Sequence, residues 1–307
     1  MELITEPKHI PTFIHIPKNA GTYVLSWFQM LNRVFCLKTE KNNIKGWTSE
    51  RVRRHLVQLP NNKQLTCCIH TPTDIHLNSD AVIRDKEDTH CDSVALDDFL
   101  NLITSGNIEV FSISADPIGT GMSDNFKAID SICAISNKSP CYFTILREPW
   151  SRAKSMFEYI KSDESSHEPT HKMYGEQNFH QFVCSLNLED SWLIRHILNL
   201  SDNELLHESH YRQCCQVLDR IKIYDIQQSP KAVDEIMGIC YGLQKSDVEK
   251  RALSIDANKS SYSYNFKFSD LSIKEQETFL ARTYFDRKLY EKYVMREKFP
   301  GFKCFEN

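Results

Sequence analysis

The chain has 307 residues, 41% of them apolar and 25% charged, a composition that supports a sizeable core and excludes a disordered polymer. Its formal net charge of −4 argues against a protein whose main business is gripping nucleic acid. No apolar run approaches the ~20 residues of a membrane span and the first ten residues lack a signal peptide's apolar core, so the chain reads as soluble and cytoplasmic, with a secretory lumen as the alternative if an anchor lies upstream.

In chain order, an apolar run predicts a strand over 12–16, then the loop from Pro17 to Thr22, then a helix over 23–31. A helix is expected over 49–58, with Arg51, Arg53, Arg54 and His55 as its solvated face, the alternative being a local basic groove. Strands follow over 65–70 and 109–114, with a helix over 96–104 between them. The stretch from Cys141 to Tyr159 predicts a strand over 141–146 and a helix over 150–161 opened by Pro149. Helices over 178–185, 191–200 and 230–241 flank a strand over 221–226. Ser272 and Glu275 form a capping box for a last helix that runs on through Tyr293. Polar stretches at 162–177 and 256–269 read as active-site loops rather than domain boundaries. Alternating strands and helices favour a single α/β domain over 1–307, with a central parallel sheet covered on both faces.

The chemistry concentrates in two places. A helix N-terminus leaves backbone N–H groups free and carries the positive end of the helix dipole, which together suit a phosphate or sulfate. Lys18, Asn19, Ala20, Gly21, Thr22 and Tyr23 surround such a turn. Arg147 at the end of a strand and Ser155 on the following helix repeat the design, so the ligand would carry anionic groups at two ends. Lys18 precedes the single Gly21, which excludes a Walker A loop, and no G-x-G-x-x-G follows a strand.

HIPKNAGT followed by TILREPWSRAKSMFEY resembles the carbohydrate sulfotransferase superfamily, whose members use 3′-phosphoadenosine 5′-phosphosulfate (PAPS), and is nearest its heparan sulfate and chondroitin O-sulfotransferase branch. The resemblance implies a P-loop-like three-layer α/β/α fold and transfer of a sulfuryl group to a hydroxyl acceptor, most naturally on a glycan. It places Lys18 at the oxygen bridging sulfur and leaving nucleotide, Thr22 and the loop amides on the 5′-phosphosulfate, and Arg147 and Ser155 on the 3′-phosphate. Lys259 and Ser260 would close over the nucleotide. No metal is required by this chemistry.

The catalytic base is where the pattern departs. Relatives carry a histidine after the strand that precedes the arginine strand, whereas this chain has Ser114 or Ala115 there, neither able to accept a proton at neutral pH. Asp116 and His70 are the candidates, with His70 preferred; His15 reads as structural, His76 as exposed and Arg152 as facing solvent or a carboxylate. A PAP- or PAPS-binding pseudoenzyme and a sulfotransferase for tyrosine or small alcohols remain open. A nucleoside-triphosphate kinase would need Mg²⁺ ligands and a Walker lysine, which are not evident. The 11 cysteines are scattered, with adjacent pairs at 67–68 and 214–215 and no C-x-x-C, and are expected to be buried, reduced thiols.

Overall fold

The structure is a computed structural model that describes residues 7–28 (except 22 and 26), 52–59, 63–70, 83–84, 90–116, 122–161, 175–184, 191–242 (except 202) and 265–295. Among the described residues eight strands form one sheet: β1 (His9–Ile14), β2 (Val52–Leu59), β3 (Lys63–His70), β4 (Ile83–Arg84), β5 (His90–Ala95), β6 (Glu109–Ala115), β7 (Ser139–Leu146) and β8 (Lys222–Asp225). Their spatial order is β4-β5-β2-β3-β6-β1-β7-β8. The block β6-β1-β7-β8 is parallel throughout. The expected parallel sheet holds for six of these eight strands, because β2 and β5 also pair in parallel and run with β6, while β3, antiparallel to both β6 and β2, and β4, antiparallel to β5, are reversed.

Around the sheet lie α1 (helical at 21, 23–25, 27 and 28), α2 (Leu96–Thr104), α3 (Met122–Ile135), α4 (Pro149–Ile160), α5 (Phe179–Cys184), α6 (Trp192–Leu198), α7 (Glu208–Leu218), α8 (Ser229–Tyr241), α9 (Ile273–Arg282) and α10 (Tyr284–Tyr290). Strand alternation sorts them into layers. Ile10 and Ile14 of β1 with Tyr142 and Leu146 of β7 face a core completed by α2, α3, α6, α7 and α10. Phe13 of β1 with Cys141, Phe143 and Ile145 of β7 face the opposite core, closed by α1 and α8. A third cluster joins α4, α5 and α9 through Phe157, Phe179, Phe182 and Phe279.

Two expected elements change type or shape. The helix expected over 49–58 is strand β2, paired along its whole length with β3 from Val52↔His70 to Leu59↔Lys63. Val57 and Leu59 are buried while Leu56 and Gln58, which alternate with them, are half-buried, a period of two rather than 3.6. Arg53, Arg54 and His55 thus lie on a strand and not on a helix, and Arg51 lies outside the described residues. The last helix divides at Thr283, whose hydroxyl donates to the Phe279 carbonyl at 2.8 Å, while Ser191 N–H takes the Arg282 carbonyl at 2.7 Å. Side-chain back-bonding of this kind bends helices.

Among the described residues no helix is long and apolar enough to cross a membrane. Of the described cysteines, 67, 133, 141, 214, 215 and 240 are buried and in no disulfide and Cys184 is half-buried, as expected for reduced thiols. Burial pushes the Cys133 thiol up to about 12, which keeps it unreactive at neutral pH.

Candidate functional site

Parallel strands deliver their C-terminal ends to one edge of a sheet, and a crevice opens where neighbouring strands send their following helices to opposite faces. β1 and β6 are such a pair, since α1 follows β1 onto one core and α3 follows β6 onto the other. The edge there carries the 15–21 loop after β1, Asp116 after β6 and Arg147 after β7. Strands lie about 4.8 Å apart, so Asp116 and Arg147 flank the loop on either side.

The loop is held in an unusual backbone. Lys18 and Ala20 have φ of 66° and 61°, the left-handed region that costs a side-chain-bearing residue roughly 1–2 kcal/mol. Asn19 between them donates its N–H to the Ile16 carbonyl at 3.1 Å and is itself fully buried. Its side-chain oxygen meets no hydrogen-bond donor among the described residues. Val24 N–H reaches the Ala20 carbonyl at 3.1 Å, which starts α1 at Gly21 and leaves the amides of Gly21 and Tyr23 without an acceptor inside the helix.

Helix α4 brings the second element to the loop. Arg147 donates through Nη1 to the Lys18 carbonyl at 3.3 Å and through Nε to the Ser151 hydroxyl at 2.8 Å. The Lys18 ammonium lies 4.1 Å over the Tyr159 ring. Ser151, Ser155 and Tyr159 are spaced four apart and share one helix face, so Ser155 sits between the Arg147 and Lys18 contacts. Burial lowers the Arg147 pKa, opposed by Glu158 and Glu148, and leaves a guanidinium that remains charged. Lys18, Gly21, Arg147 and Ser155 are therefore gathered at one place.

The second turn does not repeat the first in full. Glu148 caps α4, accepting the N–H groups of Trp150 at 2.9 Å and Ser151 at 2.8 Å. Those amides are taken by a carboxylate, so an anion at this end would be held by the Arg147 and Ser155 side chains and not by the helix terminus.

Topology separates the two candidate bases. His70 ends β3, which is antiparallel to β6, and pairs with Glu109 at the start of β6. Six residues of strand separate that register from Ala115, about 20 Å, so His70 belongs to the opposite edge of the sheet and the preference for it is overturned. Asp116 stays at the site. Its carboxylate lies 3.4 Å from His15 Nδ1 and 3.3 Å from His196 Nε2. His15 N–H bonds the Ala115 carbonyl at 2.8 Å, continuing the β1–β6 ladder one residue beyond the strand, and that register is what places the His15 ring beside Asp116.

His15 is thus a member of the site rather than a filler of the first strand. A Cβ on Gly21 would overlap Nε2 and Cδ2 of the His15 ring, so the glycine is what admits this imidazole. His196 is buried and stacked on Trp192, with ring centroids 4.2 Å apart, and the Arg152 guanidinium also lies 4.2 Å from the Trp192 ring. Arg152 is accordingly buried and not solvent-facing. Burial lowers the His196 pKa more than Asp116 raises it, which keeps the ring neutral near pH 7.

Neither His15 nor His196 was singled out from the sequence as a site residue. His196 had no local signal; His15 had one, three residues before Lys18 at the strand end. Thr22, Lys259, Ser260 and His76 lie outside the described residues. A cavity of about 410 Å³ lined by Arg195, Leu205, Leu206, Tyr284 and Phe285 shares no residue with this site. No protein-family model matches the chain, and no curated protein and no solved structure matches it.

Proposed function

We propose that this chain transfers a sulfuryl group from PAPS to a hydroxyl acceptor, most naturally on a carbohydrate, using a sulfotransferase-type α/β fold. One observation carries the reading: the Arg147 guanidinium meets the Lys18 loop across the β1–β7 ladder, while Asp116 stands on the other side of the same loop. Two cationic side chains and an N-terminal helical turn suit an anionic ligand with two charged ends, and a carboxylate with two imidazoles beside the same loop suits deprotonation of an incoming hydroxyl.

The fit to the nucleotide is chemical. The amides of Gly21 and Tyr23 and the Lys18 ammonium suit the phosphosulfate, and Arg147 with Ser155 suits the 3′-phosphate. Sulfuryl transfer, like phosphoryl transfer, depends on positioning and on neutralising charge at the leaving oxygen. Lys18 supplies that charge once it leaves the Tyr159 ring. The absence of a histidine at 114 or 115 also favours a second reading, a nucleotide-binding protein without turnover.

Calorimetry with 3′-phosphoadenosine 5′-phosphate (PAP), followed by incubation with PAPS and a panel of glycan, tyrosine and small-alcohol acceptors, separates the readings. PAP binding with acceptor-dependent PAP release supports the transferase. Binding without release supports the second reading, and no binding removes both.

A further inference from the structure

The Asp116 carboxylate bridges two imidazoles, with Oδ2 toward His15 Nδ1 at 3.4 Å and Oδ1 toward His196 Nε2 at 3.3 Å. The three side chains differ in access. His196 is 4% exposed, His15 26% and Asp116 39%. His15 turns Nδ1 to the carboxylate, and its Nε2 lies against Gly21, the first residue of the helix that follows the Lys18 loop. A base oriented through Nδ1 by a carboxylate, with Nε2 toward the reacting groups, is the arrangement that general-base catalysis by histidine requires.

We propose that His15 takes the acceptor's proton, that Asp116 is its orienting carboxylate, and that His196 packs beside the second carboxylate oxygen. This deepens the sulfotransferase reading and rests on it. An imidazole is better matched than a carboxylate to accepting a proton near neutral pH. In the step, the acceptor O–H bond breaks and its proton passes to His15 Nε2. The acceptor oxygen bonds to sulfur while the bond from sulfur to the bridging oxygen breaks, and that electron pair stays on the 5′-phosphate of PAP beside Lys18. The imidazolium formed on His15 faces the Asp116 carboxylate. Among the described residues, Arg152 of α4 also faces the cluster, through the Trp192 stack, and its positive charge works against protonation of His196.

The test is the pH dependence of kcat/KM for PAPS turnover in the intact chain, with PAP affinity measured alongside. His15→Gln is expected to lower kcat by about 10²–10⁴-fold and to abolish the acidic limb of the profile, with PAP affinity changed less than about threefold. Asp116→Asn is expected to lower kcat by at least about tenfold while keeping a shifted limb. Loss of the limb in Asp116→Asn and its retention in His15→Gln would overturn the proposal in favour of Asp116 as base. If His15→Gln does not fold, the His15 imidazole pKa read by NMR in the wild type must match the acidic limb; a mismatch above one pH unit overturns the proposal. Wild-type PAP binding distinguishes failure of this inference from failure of the nucleotide reading, and absence of turnover on every acceptor defeats the proposal together with the transferase reading.

Discussion

Backbone strain singles out the loop after β1 more sharply than any of its side chains. Two residues with side chains, Lys18 and Ala20, are held at positive φ within three positions, and such strain persists where surrounding structure over-determines it. Replacing Ala20 by glycine relieves the left-handed penalty at the cost of added freedom in the unfolded chain. Ala20→Gly is expected to stabilise the fold by roughly 0.5–1 kcal/mol, measured by urea unfolding, and a destabilised variant would show that Ala20 makes a contact worth more than its strain. Lys18→Ala should lower turnover by at least about 10²-fold while leaving the unfolding midpoint within experimental error, because the loss is of transition-state charge stabilisation. Arg147→Lys retains charge but loses the fork that reaches both Ser151 and the Lys18 carbonyl, and PAP affinity is expected to fall about tenfold.

At the scale of elements, the site depends on how a short helix is pinned. Asp286 of α10 is buried and accepts the N–H groups of Leu193 at 3.0 Å and Ile194 at 3.4 Å, so it caps α6, which carries Trp192 and His196. Asp286→Ala leaves those amides without their acceptor and should cost about 1–3 kcal/mol, with a loss of turnover through His196. Ser272→Ala removes the capping box of α9 and should cost about 1 kcal/mol. That change ought to leave turnover intact, and a parallel loss of activity would show that α9 is coupled to the site. The contrast between a helix whose signals are local and one whose signals are not also explains legibility. The α9 cap is written in Ser272 and Glu275, whereas the cap of α6 comes from a residue more than ninety positions away. Strand β2 was misread because its identity comes from pairing with β3; Pro60-Asn61-Asn62 before Lys63 was the turn signal available. Helix α3 was missed although Met122, Phe126, Ile129, Ile132 and Cys133 are buried at helical spacing.

For the whole molecule, the buried His196 ties folding to pH. Burial lowers its folded pKa below 6.5, so below that pH the unfolded chain binds a proton the folded chain does not. The stability that comes from keeping this ring neutral is complete above about pH 6.5 and is lost as pH falls toward the folded pKa, with a slope of at most about 1.4 kcal/mol per pH unit. Urea unfolding of wild type and His196→Gln at pH 7.5, 6.5 and 5.5 is expected to show the steeper acid loss in the wild type. Equal slopes would mean that Asp116 compensates the charge when the ring is protonated.

The residues around Lys18 and Arg147 were legible in the sequence because each motif is local: an apolar strand, a Pro or Gly turn, and a helix in one run of about twenty residues. The three-layer α/β class followed from the same alternation. Strand direction was not legible, and with it went the choice between His70 and Asp116. A strand's period of two is identical whether it runs parallel or antiparallel to its neighbour, so only the β3–β6 pairing could carry His70 to the far edge. The same limit hid the His15–Asp116–His196 cluster, since three residues spread over 180 positions meet only through the β1–β6 register and the Asp286 cap that presents α6.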